Sequence, residues 1–125
     1  MSLLAAGPGA AADPAVLKTG RLTSLNNEIA TGTVSLVRLA DGRRVLRLRN
    51  ARIGPGPALR VYLVAGRVDG DEDVTAFKDL GRLKSFSGNQ EYPVRATVNT
   101  DRYATVVIWC REFSVAFGKA PLKRV

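Results

Sequence analysis

The residue with the most distinctive chemistry in this 125-residue sequence is Cys110, its only cysteine. It follows Trp109, the only tryptophan, and precedes Arg111 in an apolar segment, residues 105–110. A thiol beside a guanidinium near a break between strands can be partly exposed and more readily ionised, which makes it a redox candidate. In the alternative reading, Cys110 is simply a small buried hydrophobic residue. If the thiol is functional, Trp109, Arg111 and Phe113 shape its surroundings.

The composition excludes several other kinds of site. The chain has no histidine, which rules out histidine-based acid–base catalysis, His–Cys zinc sites and histidine-ligated haem within it. We therefore predict no catalytic residue, no metal ligand and no cofactor. One cysteine forms no internal disulfide, so the cysteine count leaves the redox compartment open.

Arginines supply a second candidate surface. Of the 19 basic residues 14 are arginines, the formal net charge is +8, and seven arginines lie between residues 38 and 60. Among them, Arg43, Arg47 and Arg49 are predicted to line one sheet face, where guanidinium groups would bind phosphate or carboxylate. No aromatic residues interleave with them, so nucleic acid is an unlikely partner. A basic, solvated exterior without a ligand is the simpler alternative.

Two further motifs are interpreted as turns. The segment Gly54-Pro55-Gly56-Pro57 is glycine-rich, but its prolines have no N–H groups to offer a phosphate. Acidic residues at 69–73 lack the spacing of a calcium loop, because the sixth and twelfth positions, which need Gly and Glu, are Val74 and Leu80. We expect a solvated hairpin tip there.

The segments that must position these residues alternate with a period of two. Val106, Ile108 and Cys110 share one face of the predicted strand, and Val107 and Trp109 share the other. Since both faces are apolar, this strand is expected to be central and covered on both sides. After Arg111-Glu112 the pattern predicts a second strand, or a bulge, with Phe113, Val115 and Phe117 on one face.

The remaining strands are shorter and separated by turn signals. Asp41-Gly42 is the strongest hairpin signal, and after it Leu46 and Leu48 are predicted to face inward while Val45 faces water with the arginines. Strand segments are predicted at residues 18–25, 28–39, 44–50, 59–65, 74–83, 90–98 and 103–118. Turn signals recur every 8–12 residues without helical periodicity. The prediction is an all-β, antiparallel sandwich or sandwich-like barrel of about 7–9 strands.

One domain, residues 16–125, accounts for the folded chain. Residues 1–15 are interpreted as a cloning remnant (Met1-Ser-Leu) followed by a flexible Ala/Gly/Pro-rich linker. No run of 18 apolar residues is present, so no membrane span is predicted.

Four segments resemble the DM-thirteen domain family, which carries an electron-transfer label. They are residues 81–94 (GRLKSFSGNQEYPV), residues 106–122 (VVIWCREFSVAFGKAPL), Gly32-Thr-Val34 and residues 56–63 (GPALRVYL). The resemblance covers about residues 19–122. It implies a β-sandwich-like domain outside the cytoplasm, secreted or membrane-anchored, in which Cys110 is proposed to serve a redox role. The sequence departs from the family at Glu28, where His is common, and at Ala58, where Asp is common, so a His-Cys-Asp constellation cannot act here.

Three functions are compatible with these observations. The leading one is a non-enzymatic, extracytoplasmic module with a thiol redox or electron-transfer role through Cys110. The alternative is an adhesion or interaction module that binds an anionic surface or protein partner through its arginines, with a structural thiol. The third is a homodimer joined through Cys110, so the protein is expected to be a monomer or a weak dimer.

Overall fold

The computed structural model describes residues 14–125, which form nine strands and two short 3-10 helices without an α-helix. No helix in this range is long and apolar enough to cross a membrane. The predicted linker lies outside the described residues, except for Pro14 and Ala15. The strands are β1 (Ala15–Ser24), β2 (Ala30–Arg38), β3 (Arg44–Ile53), β4 (Leu59–Val64), β5 (Phe77–Arg82), β6 (Ser87–Val94), β7 (Thr105–Cys110), β8 (Val115–Pro121) and β9 (Lys123–Arg124). The 3-10 helices are Asp71–Asp73 and Thr100–Arg102.

The described strands form one antiparallel sheet that nearly closes into a barrel. Their order is β5-β4-β7-β8-β1-β2-β3-β6, with β9 beside β1, and the terminal strands β5 and β6 contact each other. The predicted all-β, sandwich-like barrel is therefore confirmed. The hairpin at Asp41-Gly42 is also found, since β2 pairs with β3 and the Gly42 N–H donates to the Leu39 carbonyl.

β7 is an interior strand of the sheet, between β4 and β8, and its two faces contribute to two separate cores. Val106, Ile108 and Cys110 point into the principal core, which fills the barrel. Val107 belongs to a smaller cluster on the outer side of the sheet, against which Trp109 packs. The alternation of apolar residues on both faces thus has the predicted cause, because each face is covered.

The acidic segment after β4 supplies the cover for that outer cluster. Val68 is fully buried against the sheet, and the Lys119 ammonium donates to its carbonyl oxygen at 2.6 Å. The Asp71 carboxylate accepts from the Ala116 N–H at 2.8 Å and from the Asn26 side chain at 2.9 Å. The acidic residues themselves are not buried, as expected for a solvated tip, but Val68 just before them anchors the segment against the sheet.

The break after β7 is a turn of four residues, 111–114, in which Ser114 has a φ of 54°. Two strands therefore follow one another, and a register shift opposite Ile108 and Trp109 adds a bulge. Phe117 is buried, but Phe113 lies in the turn and is 65% exposed. The expectation that Phe113 shares a strand face with Val115 and Phe117 is wrong, because the strand begins only at Val115.

Candidate functional site: a covered thiol and an arginine face

Cys110 is the last residue of β7, and its side chain is completely buried. Its backbone lies opposite Leu59 of β4 and Val115 of β8, and its sulfur belongs to the principal core. The partial exposure that the sequence allowed is therefore not found. The burial agrees with the reading of Cys110 as a small core residue, and it means that any reagent must pass a barrier to reach the sulfur.

One part of that barrier is the loop of residues 54–58, named here the covering loop. The Cys110 thiol donates a hydrogen bond to the Pro57 carbonyl oxygen, with an Sγ–O distance of 3.2 Å. The Arg111 N–H donates to the Ala58 carbonyl at 3.0 Å and fixes the end of the loop. Pro57 and Ala58 are exposed, so the residue that accepts the thiol hydrogen bond lies on the protein surface.

The sequence of the covering loop explains its path. Gly56 passes so close to Phe117 that an added Cβ would lie 2.6 Å from its ring, so a larger residue does not fit. Ala58 has a φ of 53°, a left-handed conformation that is unfavourable for a residue with a Cβ. The loop is thus held in a strained conformation over the thiol.

The predicted surroundings of the thiol are only partly assembled. Trp109 points to the opposite face, where its ring centroid lies 6.1 Å from that of Tyr62. Tyr62 in turn stacks on Phe77 at 4.1 Å between centroids. Arg111 is exposed, and its contact with the covering loop is made by its backbone N–H.

The positions at which the chain departs from the DM-thirteen pattern border the same loop. Ala58 ends the covering loop, and Glu28 lies in the turn between β1 and β2. The residue after it, Ile29, accepts a hydrogen bond from the Gly54 N–H at 2.8 Å. Position 58 therefore lies at the end of the loop that accepts the thiol hydrogen bond, and position 28 lies next to the residue that binds the start of that loop. Within residues 14–125, no three acidic or cysteine side chains come together in a way that would hold a metal ion.

The three arginines predicted to bind anions are not equivalent. Arg47 and Arg49 project from the outer face of β3, but Arg47 forms an ion pair with Glu91 of β6 at 2.5 Å. Arg43 lies in the β2–β3 turn and pairs with Asp41 at 2.6 Å. Carboxylates therefore partly neutralise two members of the predicted stripe.

Val45 was expected to face water with these arginines, and it is only 7% exposed. The reason is its neighbour across the ladder, because Val45 pairs with Val37 of β2, which is also buried. The two valines cover each other on the outer face of the sheet.

The sequence patterns did not identify two basic residues near the N terminus, Arg21 and Lys18. Arg21 of β1 lies opposite Thr33, which lies opposite Arg49, so Arg21 extends the basic surface across three strands. Its alternation with buried Leu22 is the signal that identifies it. Arg21, Arg47 and Arg49 are named here the arginine face.

Lys18 is buried at the end of the barrel. Its ammonium donates to the carbonyl oxygens of Thr100 and Tyr103, at 2.9 and 3.1 Å. Burial lowers the pKa of Lys18, and so does the nearby Arg124, whereas Asp101 raises it. No sequence signal distinguishes this lysine from a solvated one.

Comparison with known proteins identifies the family. The family model described as "Electron transfer DM13" matches residues 21–122, nearly the whole described chain. A search of curated proteins finds no match, and neither does a search of solved structures. The matched range includes the covering loop, Cys110 and the arginine face. The resemblance seen in the sequence is confirmed, and the chain belongs to the DM13 electron-transfer domain family.

Proposed function

We propose that this domain is a non-enzymatic, extracytoplasmic electron-transfer module whose redox group is Cys110 in a locally opened form. The family membership supports a role in electron transfer. The observation that carries the assignment to Cys110 is the hydrogen bond from its thiol to Pro57, which places the only sulfhydryl group directly beneath one exposed loop. The closed form shields the thiol from solvent and from other molecules.

The chemistry proposed for the open form is thiol–disulfide exchange with a disulfide-bearing partner. Cys110 loses its proton to solvent, and its sulfur attacks one sulfur of the partner's disulfide. A new S–S bond forms, the partner's S–S bond breaks, and the released sulfur leaves as a thiolate that takes up a proton. Cys110 is thereby oxidised and the released sulfur reduced. A second copy of this chain joined through Cys110 would be the symmetric product of two such exchanges.

Local opening requires few interactions to break. Displacing the covering loop breaks three hydrogen bonds, from the thiol to Pro57, from Arg111 to Ala58 and from Gly54 to Ile29. The prolines at 55 and 57 have no N–H groups, so they contribute no donors to hold the loop. The ladder that joins β4 to β7 remains intact, so opening requires far less free energy than unfolding.

Native-state labelling of the thiol tests this proposal. The rate of reaction with dithiodipyridine is measured at increasing urea concentrations, and global unfolding is followed separately by Trp109 fluorescence. If the loop opens locally, the labelling rate is independent of urea at low concentrations. A labelling rate that rises from the first addition of urea with the full slope of global unfolding would contradict it. The Cys110→Ser variant provides the background.

A second candidate function is favoured by the arginine face. Arg21 and Arg49 form no ion pair with any residue from 14 to 125, so both guanidinium groups are available to an anionic partner. We expect salt-sensitive retention on a sulfated polysaccharide resin. The Arg47→Gln/Arg49→Gln double variant should elute at lower salt than an Arg95→Gln/Arg102→Gln variant of equal net charge. If the two variants elute at the same salt concentration, retention depends on the overall charge of the protein and not on the arginine face.

A further inference from the structure

A second group of arginines lies on the opposite side of the barrel. Arg60 of β4, Arg82 of β5 and Arg111 of the β7–β8 turn line a pocket of about 330 Å³ together with Ala58 and Glu112. This is named here the arginine pocket. It is distinct from the arginine face, whose residues project from β1 and β3.

Strand pairing forces these charges together. Arg60 and Arg82 are direct partners in the β4–β5 ladder. On its other side Arg60 lies opposite Trp109, two residues before Arg111. Like charges directly opposite each other on neighbouring strands repel, and a bound anion relieves that repulsion. The pocket therefore has an excess of positive charge, which an anionic ligand would neutralise.

The carboxylates nearby do not neutralise all of this positive charge. Asp79 accepts from the Arg60 Nε at 2.9 Å, so its charge is already engaged. Glu112 lies on the pocket wall, but neither Arg82 nor Arg111 forms an ion pair with it or with any other residue from 14 to 125. Both guanidinium groups are exposed and can turn toward a ligand.

The phenol of Tyr62 lies close to two of these cations. Burial raises the pKa of Tyr62, and the Asp79 carboxylate raises it further. Arg111 and Arg60 lower the pKa of Tyr62, so both cations interact with the same phenol. Tyr62 also stacks on Phe77 and lies near Trp109, the cross-strand partner of Arg60.

We propose that the arginine pocket binds an oxyanion, the carboxylate or phosphate group of a ligand, between Arg82 and Arg111. Guanidinium forks match the paired oxygens of both groups, and a charge-assisted pair is about twice as strong as a neutral hydrogen bond. Glu112 lowers the affinity and limits binding to ligands with sufficient negative charge. The site does not depend on the redox role of Cys110, although Ala58 belongs to both the pocket wall and the covering loop.

Trp109 provides a built-in reporter for this site, because it is the only tryptophan and the cross-strand partner of Arg60. The intact protein is titrated with inorganic phosphate and, separately, with malonate, with sodium chloride keeping the ionic strength constant. Binding is followed by Trp109 fluorescence and by calorimetry. A preference for phosphate identifies a tetrahedral group as the ligand, and a preference for malonate identifies a carboxylate.

Substitutions show whether the anion binds in the arginine pocket. Arg82→Gln and Arg111→Gln should each weaken binding by about 5- to 10-fold, and Glu112→Gln should strengthen it. The matched control is Arg102→Gln, an exposed arginine of the second 3-10 helix that belongs to neither the arginine pocket nor the arginine face. It removes the same charge and should leave binding unchanged. Absence of saturable binding by both methods for both anions would overturn the proposal. So would affinities that fall equally in all three arginine variants.

Discussion

Replacing Ala58 with glycine should make Cys110 less accessible in the native protein. Ala58 has a φ of 53°, where its Cβ is close to the following carbonyl. Glycine adopts this conformation without strain. Because Ala58 is exposed, the substitution removes little packing. The closed form of the covering loop is therefore stabilised relative to an open form in which residue 58 relaxes to negative φ.

The size of the effect follows from two opposing contributions. Left-handed backbone costs a residue with a Cβ about 1–2 kcal/mol. The stabilisation of the closed loop is reduced by about 0.4–1 kcal/mol, because glycine gains more conformational freedom than alanine in the open loop. The difference leaves about 1 kcal/mol in favour of closure, which corresponds to a labelling rate about 5-fold lower.

The assay is the dithiodipyridine reaction of the native protein without denaturant, in parallel with a urea unfolding curve for each variant. Asn50→Gly is the control, since Asn50 also has positive φ (52°) but lies in the bulge of β3, away from the loop. The reasoning fails if Ala58→Gly labels at the wild-type rate. It also fails if Asn50→Gly slows labelling as much as Ala58→Gly does.

Three further predictions concern the barrel itself. Ile108→Ala should lower the free energy of unfolding by about 2–5 kcal/mol in urea titrations, because Ile108 is fully buried in the principal core. Tyr92→Phe should lose about 1 kcal/mol at neutral pH, since the hydroxyl bonds to Lys84 and Gln90. Burial also raises the pKa of Tyr92, so the folded chain keeps a proton that the unfolded chain releases above pH of about 10. Thermal unfolding across this range should therefore show a loss of stability with rising pH that is smaller in Tyr92→Phe. Gly118→Ala should destabilise the protein by about 1–3 kcal/mol in the same urea assay, because a methyl group there overlaps with atoms of β1 and β2.

The parts of the fold that sequence reasoning captured are those set by local alternation. The two apolar faces of β7 follow directly from the order Val106, Val107, Ile108, and the β2–β3 hairpin follows from Asp41-Gly42. Both signals act between neighbours in the chain. Element ends were less well defined, and β1, for instance, begins at Ala15 and not at residue 18.

What the sequence did not reveal depends on contacts between distant segments. The burial of Cys110 requires the covering loop, more than 50 residues earlier in the chain. The neutralisation of Arg47 requires β6 to lie beside β3, which brings in Glu91 from 44 residues away. The arginine pocket likewise arises only when β5 pairs with β4. Period-two patterns state which way a side chain points, but they do not state which strand lies next to it.

The position of β1 sets the order in which this barrel can be completed during synthesis. β1 pairs with β2 along most of its length, and its last residues, Thr23 and Ser24, pair with β8. The Thr23 hydroxyl donates to the Lys119 carbonyl across 96 positions of sequence. A growing polypeptide can form β1, β2 and β3 early, but one edge of that meander stays unpaired until β8 has been synthesised, 96 positions after Thr23. During that interval the exposed edge is open to pairing with another nascent chain.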